Sequence, residues 1–142
     1  MNKTTVIRKD KSQKWYIINA KHYKLGRLAT EIANILRGKR RSEFHPSHIN
    51  QDHVIIINAQ EVSVSGRKAQ QKLYYKHSGR PGSMKTESFE NLQHRLPHKI
   101  IEHAVRKMLP KGALGRQIFK NLKVYAGEKH PHAAQKPIQI DL

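Results

Sequence analysis

The chain has 142 residues, with 28 Lys plus Arg against 10 Asp plus Glu, no cysteine, and a formal charge of +18 when histidine is neutral. That length suits one compact domain; the absence of cysteine excludes disulfides and thiolate metal sites; and no apolar run approaches the roughly twenty residues of a membrane-crossing helix. The hydrophobic fraction of 37% is below the usual globular range, and so large an excess of cations repels itself unless a polyanion (RNA, DNA or an anionic membrane face) lies nearby.

Residues 1–14 form a polar, basic arm without the apolar segment of a secretory signal, and too short and plain for a transit peptide. The protein is therefore expected to work in the compartment where it is made. Trp15–Asn19 is a short β-favouring run and the expected first strand. Over Leu25–Arg37 the residues Leu25, Leu28, Ala29, Ile32 and Leu36 recur at helical spacing, and Gly38 stops the helix. Val54–Asn58 is continuously apolar, as in a strand covered on both faces. Ala59–Glu61 is expected as a helical turn and Val62–Ser65 as a short strand ending at Gly66.

Leu73–Tyr75 reads as a strand or extended arm, followed by a loop at Ser78–Ser83. Thr86–His94 is expected to be helical with Thr86 as its cap. Pro97 opens a further helix whose buried stripe is Ile100, Ile101, Ala104, Val105 and Met108, and Pro110 ends it. A short helix over Leu114–Asn121, a last strand at Leu122–Tyr125 and an extended tail over 127–142 complete the chain. Strands alternating with helices imply an α/β sandwich with a mainly parallel sheet. No linker divides the chain, so residues 1–142 are expected to form a single domain whose arm and tail are loose until bound.

The acids leave three windows without a carboxylate. The first holds Arg37, Lys39, Arg40 and Arg41; the second Arg67, Lys68, Lys72, Lys76, Arg80 and Lys85; the third Arg106, Lys107, Lys111, Arg116, Lys120 and Lys123. One charge run is usually a solvated face. Three, all at helix ends or irregular loops, point to phosphate contact. Tyr74, Tyr75 and His77 stand among the cations of the second window, where aromatic rings can stack on unpaired bases. Strand neighbours point opposite ways, so one of the two tyrosines is expected in the core. In the third window Gly112 and Gly115 permit close backbone approach, and Gly112 can place a helix N-terminus against an anion.

Other chemistry finds less support. Gly79–Thr86 lacks the adjacent Gly-Lys-Ser/Thr of a nucleotide-phosphate loop. His45-x-x-His48, His94 to His98 and His130-x-His132 lack the cysteine or paired carboxylates of a metal site. Near RNA these histidines are expected to act as donors and take up protons. Only Asp52 beside His53 hints at a nuclease centre. A nucleoid DNA-binding protein would want a helix available for a major groove, whereas these helices carry core stripes.

Specific strings narrow the choice. Trp15-Tyr-Ile-Ile-Asn-Ala20, Leu25-Gly-Arg-Leu-Ala-Thr-Glu-Ile-Ala33, Leu36-Arg-Gly-Lys39 and Val54-Ile-Ile-Ile-Asn-Ala59 occur in that order. Tyr74-Tyr75 with His77-Ser-Gly79, Met108-Leu-Pro-Lys-Gly112, Leu114-Gly-Arg116, and Leu122-Lys-Val-Tyr-Ala-Gly127 with His130-Pro-His132 follow. Together, from Trp15 to Asp141, they resemble the bacterial-type family of large-subunit ribosomal protein thirteen. The chain departs from that family's pattern over Phe44–His53, at Ser83 and at Lys107.

The resemblance implies a three-layer α/β/α sandwich with a four-stranded, mainly parallel sheet. It implies a non-enzymatic constituent of the large ribosomal subunit that binds 23S-type ribosomal RNA, meets neighbouring ribosomal proteins and joins early in assembly. No cofactor, metal, small-molecule substrate or membrane partner is expected. The start Met-Asn-Lys-Thr, the loop His77–Gly82 and the tail Ala134–Pro137 look most like the cyanobacterial and plastid branch, which implies a ribosome in the plastid stroma, or otherwise in a bacterial cytoplasm. Residues expected at the RNA are Lys39, Arg40, Arg41, Lys68, Lys72, Lys76, Arg80, Lys85, Lys111, Arg116, Lys120 and Lys123 for phosphate, with Tyr75 and His77 for base or sugar.

Overall fold

A computed structural model describes residues 13–141; residues 1–12, which make up most of the expected N-terminal arm, and Leu142 lie outside the described residues. Four strands form one sheet: β1 (Trp15–Asn19), β2 (His53–Ile57), β5 (Leu122–Val124) and β6 (Ile138–Gln139). Their order is β5-β2-β1-β6 and every pairing is parallel. A separate antiparallel hairpin joins β3 (Leu73–His77) to β4 (Met84–Ser88). Parallel neighbours need long crossovers, and these are supplied by the helices α1 (Leu25–Arg37) and α4 (Pro97–Met108), which pack on each other.

Helix α1 buries Leu25, Leu28, Ala29, Ile32, Ala33, Ile35 and Leu36, and α4 buries Ile100, Ile101 and Val105. These side chains form one cluster with Ile18, Val54, Ile56, Phe89, Ile118 and Leu122. Each fully buried large aliphatic side chain contributes about 1.5–3 kcal/mol, which makes this cluster the main source of stability. Ile55 is also fully buried but lies outside the cluster, as alternation along a strand demands. It faces the other side with Trp15, His53 and Lys123, their cross-strand neighbours.

The C-terminal segment supplies the layer on that side. The His132 ring lies 5.2 Å from Trp15, which in turn stacks on His53 at 4.1 Å; the His132 Nε2 is 2.8 Å from the Tyr125 hydroxyl. Helices thus cover one face of the sheet and the tail, with a 3-10 turn at Ala133–Gln135, crosses the other.

Several elements differ from expectation. The tail is not merely extended: Ile138–Gln139 closes the sheet edge beside β1. Val62–Ser65 forms no strand; Ser63 makes one isolated bridge to Lys24. Thr86 does not begin a helix but pairs with Tyr75 in β4, and α3 (Phe89–Arg95) starts after Ser88, whose hydroxyl accepts the Asn91 N–H. A Ser two residues later competes for the cap, and the stretch before it alternates like a strand. Met108 leaves the buried stripe because Leu109, in extended conformation beyond the helix end, takes the interior place. The sequence also concealed α2 (Lys68–Gln71), one turn with no buried residue to announce it.

Candidate nucleic-acid interface

The hairpin carries Lys76, Arg80 and Lys85 of the second basic window, and its register sorts the strand residues into two faces. Leu73, Tyr75, His77 and Met84 share one face; Tyr74, Lys76, Lys85 and Glu87 share the other. Tyr74 packs against the core cluster while Tyr75 is 65% exposed, which settles which tyrosine is interior. Lys76 and Lys85 stand directly opposite each other, both exposed. Like charges so placed repel, and an external anion relieves them.

The connecting loop is held from within. Ser78 Oγ donates to Ser83 Oγ at 2.7 Å, Ser83 Oγ lies 2.6 Å from the Arg80 carbonyl, and the Gly79 N–H donates to His77 Nδ1 at 2.9 Å. Arg80 is left exposed at the tip. At the hairpin base, Glu87 pairs with Arg95 (Nε–Oε1 2.9 Å) and the Phe89 N–H donates to the Lys72 carbonyl at 2.8 Å. The carboxylate nearest the cationic strands is thereby neutralised.

Beside the hairpin a groove runs between the start of α1, α2, β3 and the end of α4. Lys68, Lys72 and Tyr75, all expected from the sequence, line it. So do Lys24, Arg27, His103, Lys107 and Met108, which were not among the expected contacts. Among the described residues no carboxylate lines it, and none of these cations makes an ion pair. Lys72 instead lies 5.6 Å above the Tyr74 ring, which meets His103 edge-on at 5.7 Å. Burial first, then Lys107, Lys72 and Arg106, hold the His103 pKa below the usual histidine value.

The first window lies at the other end of α1, whose 13 residues separate it from the groove by about 20 Å. Gly38, at φ +77°, turns the chain out of the helix, and a Cβ there would meet the Asn50 side chain at 3.1 Å. Lys39 is exposed, Arg40 pairs with Glu31 at 2.8 Å, and Arg41 is drawn inward. Its Nε donates to Asp52 at 2.9 Å; the same carboxylate accepts from the Lys14 N–H at 3.1 Å and Asn50 Nδ2 at 3.0 Å. Asp52 is only 2% exposed. The carboxylate that hinted at a nuclease is instead the anchor of the 38–52 loop, and the Arg41 guanidinium is engaged there. Among the described residues no group of three His and carboxylates is placed to hold a metal ion.

In the third window Lys111, Arg116 and Lys120 are exposed around α5 (Ala113–Phe119). Gly112 is the residue before that short helix. Gly115 is buried, and a Cβ on it would lie 1.8 Å from the Pro110 carbonyl oxygen. Its close approach is to the protein's own turn and not to an outside partner. Lys123 sits half-buried on the tail side of the sheet, apart from the others, where its charge adds to burial in lowering the His53 pKa. The expected contacts thus fall into four groups: the end of α1, the hairpin with its groove, the α4–α5 turn, and Lys123 alone.

Comparison with known proteins identifies this scaffold. The sequence profile of ribosomal protein L13 matches residues 13–131. The chain belongs to the ribosomal protein L13 family. It is 58% identical to large ribosomal subunit protein uL13c of Porphyra purpurea over 96% of both chains. It is 59% identical to uL13 of Synechocystis sp. over 96% of this chain and 91% of that one, and 61% identical to uL13 of Acaryochloris marina over 88% and 83%. The L13 family match covers three of the four sheet strands (β1, β2 and β5), both crossover helices and all three basic windows.

Proposed function

We propose that this protein is a structural constituent of the large ribosomal subunit, folded as one domain over residues 1–142, that binds 23S-type ribosomal RNA and supports early subunit assembly. It acts by position and charge, not as an enzyme, and takes no small-molecule substrate. The observation that carries this is the placing of cations, most of them exposed and without an ion-pair partner among the described residues, on a hairpin, helix ends and loops around an apolar core, in a chain of the L13 family. Each cation near a phosphate releases counterions, so RNA helices that repel one another can pack closely around the protein. Lys39, Arg40, Lys68, Lys72, Lys76, Arg80, Lys85, Lys111, Arg116, Lys120 and Lys123 are proposed for phosphate, Tyr75 and His77 for base or sugar. Arg41 is proposed with them, with its guanidinium also holding Asp52.

The site of action proposed is the plastid ribosome, in keeping with the Porphyra purpurea and cyanobacterial-type likeness; a bacterial cytoplasm is the second reading. Sedimentation tests the proposal. The tagged protein should travel with large subunits through a high-salt wash, and Lys111→Ala with Arg116→Ala should lower its incorporation in competition with the unaltered chain. A protein that stays at the top of the gradient is not a subunit constituent.

A further inference from the structure

The groove beside the hairpin combines features that a purely phosphate-binding surface does not need. Leu73 is 47% exposed, Tyr75 65% and Met108 40%, and all three line it. They form an apolar floor between walls of cations. The walls are built by helical spacing: Lys24 and Arg27 at the start of α1, Lys68 and Lys72 at the two ends of α2, His103 and Lys107 near the end of α4. Gly26 adds an independent sign. It stands in the groove wall within α1, where glycine weakens a helix, yet nothing lies within 4 Å of the position a Cβ would occupy. No internal packing requires a glycine there, and the bare backbone leaves that wall open to close approach from outside.

We propose that this groove holds a single-stranded segment of RNA, with an unpaired base stacked on Tyr75 and phosphates against Lys24, Arg27, Lys68, Lys72 and Lys107. This deepens the ribosomal reading and rests on it. A regular duplex keeps its bases stacked inside and offers a groove of this kind only phosphate, leaving the apolar floor exposed to water. An unpaired strand satisfies both parts at once, because every base has a face for an aromatic ring and a phosphate for a lysine. The acid-free lining favours this polyanion over an apolar protein segment, which would leave the wall cations uncompensated.

The test uses the full chain with an unstructured RNA of about 12 nucleotides, a size typical of single-strand sites, a duplex of the same sequence, and large-subunit ribosomal RNA, across a range of salt. Tyr75→Ala should lower single-strand affinity about 5- to 100-fold, leaving duplex affinity and the salt slope unchanged, whereas Tyr75→Phe should bind as the native chain. Lys107→Ala should reduce the single-strand salt slope by about 0.7. Gly26→Ala should weaken single-strand binding while the fold melts no lower. Native single-strand binding by Tyr75→Ala, or equal losses on duplex and single strand, overturns the groove assignment alone, provided the native chain still binds ribosomal RNA. Failure of the native chain to bind ribosomal RNA overturns both the ribosomal reading and the groove. A Tyr75→Ala chain that binds every RNA normally but no longer enters subunits indicates a protein occupant, and likewise overturns the groove assignment.

Discussion

Strands β2 and β3 have five residues each and opposite fates. In β2, Val54, Ile55 and Ile56 are fully buried, paired on both edges and covered on both faces. In β3 only Tyr74 reaches the core, one edge alone is paired, and Leu73, Tyr75, Lys76 and His77 are exposed. The first strand exists for the fold. The second is held out from it, with an aromatic and apolar face and a cationic one, and is proposed to be completed by RNA. Stability and binding are thereby assigned to different residues, so substitutions should separate them.

The largest effect is expected at the buried end of the stable region. Asp52→Ala leaves the partly buried Arg41 without its carboxylate and releases the 38–52 loop, and should cost about 3–5 kcal/mol by denaturant unfolding. A loss near zero would mean that the loop is not anchored there. Gly115→Ala should cost about 1–3 kcal/mol, since the turn at Pro110 must shift to admit a methyl group. On the hairpin the sign reverses. Lys76→Ala should leave stability unchanged or raise it by about 0.5 kcal/mol by removing the opposed like charge, while RNA affinity falls; a hairpin that serves only the fold would show no loss of binding.

The smallest effects concern protons. The pKa values of His53 and His103 are both lowered in the folded chain, by burial before neighbouring cations, so the folded state binds fewer protons than the unfolded one. Their contribution to stability is full above the ordinary histidine value of about 6.5 and is lost as pH falls through the lowered folded values. His103→Gln should flatten that dependence. It should also reduce proton uptake on RNA binding, because a phosphate in the groove offsets Lys72, Arg106 and Lys107 and lifts the histidine pKa back. Calorimetry in buffers of different ionisation enthalpy reads that uptake directly.

The sequence made the stable region legible and the binding region only partly so. Apolar spacing alone located β1, β2, α1 and α4, because burial imposes a period on every residue of an amphipathic element. It could not locate α2, too short to show a period, or the β6 pairing, whose two residues carry no strand signature. For the proposed interface, missing carboxylates marked windows along the sequence, but windows are linear and the groove is not. Lys24 and Arg27 lie some forty residues from Lys68 and about eighty from Lys107 along the sequence, and only the packing of α1 on α4 brings them together. Arg41 shows the converse: composition gives a cation but not the buried aspartate that engages it.

The central claim is that the cations of the hairpin and groove serve RNA and not the fold. The most direct measurement pairs the unfolding midpoint with the salt dependence of ribosomal RNA binding for a variant carrying Lys68→Ala, Lys72→Ala, Lys76→Ala and Lys107→Ala together. The midpoint should stay level or rise, while affinity falls and the salt slope drops by up to about 3–4. An unchanged affinity and slope, or a loss of binding that merely tracks a collapse in stability, would contradict it.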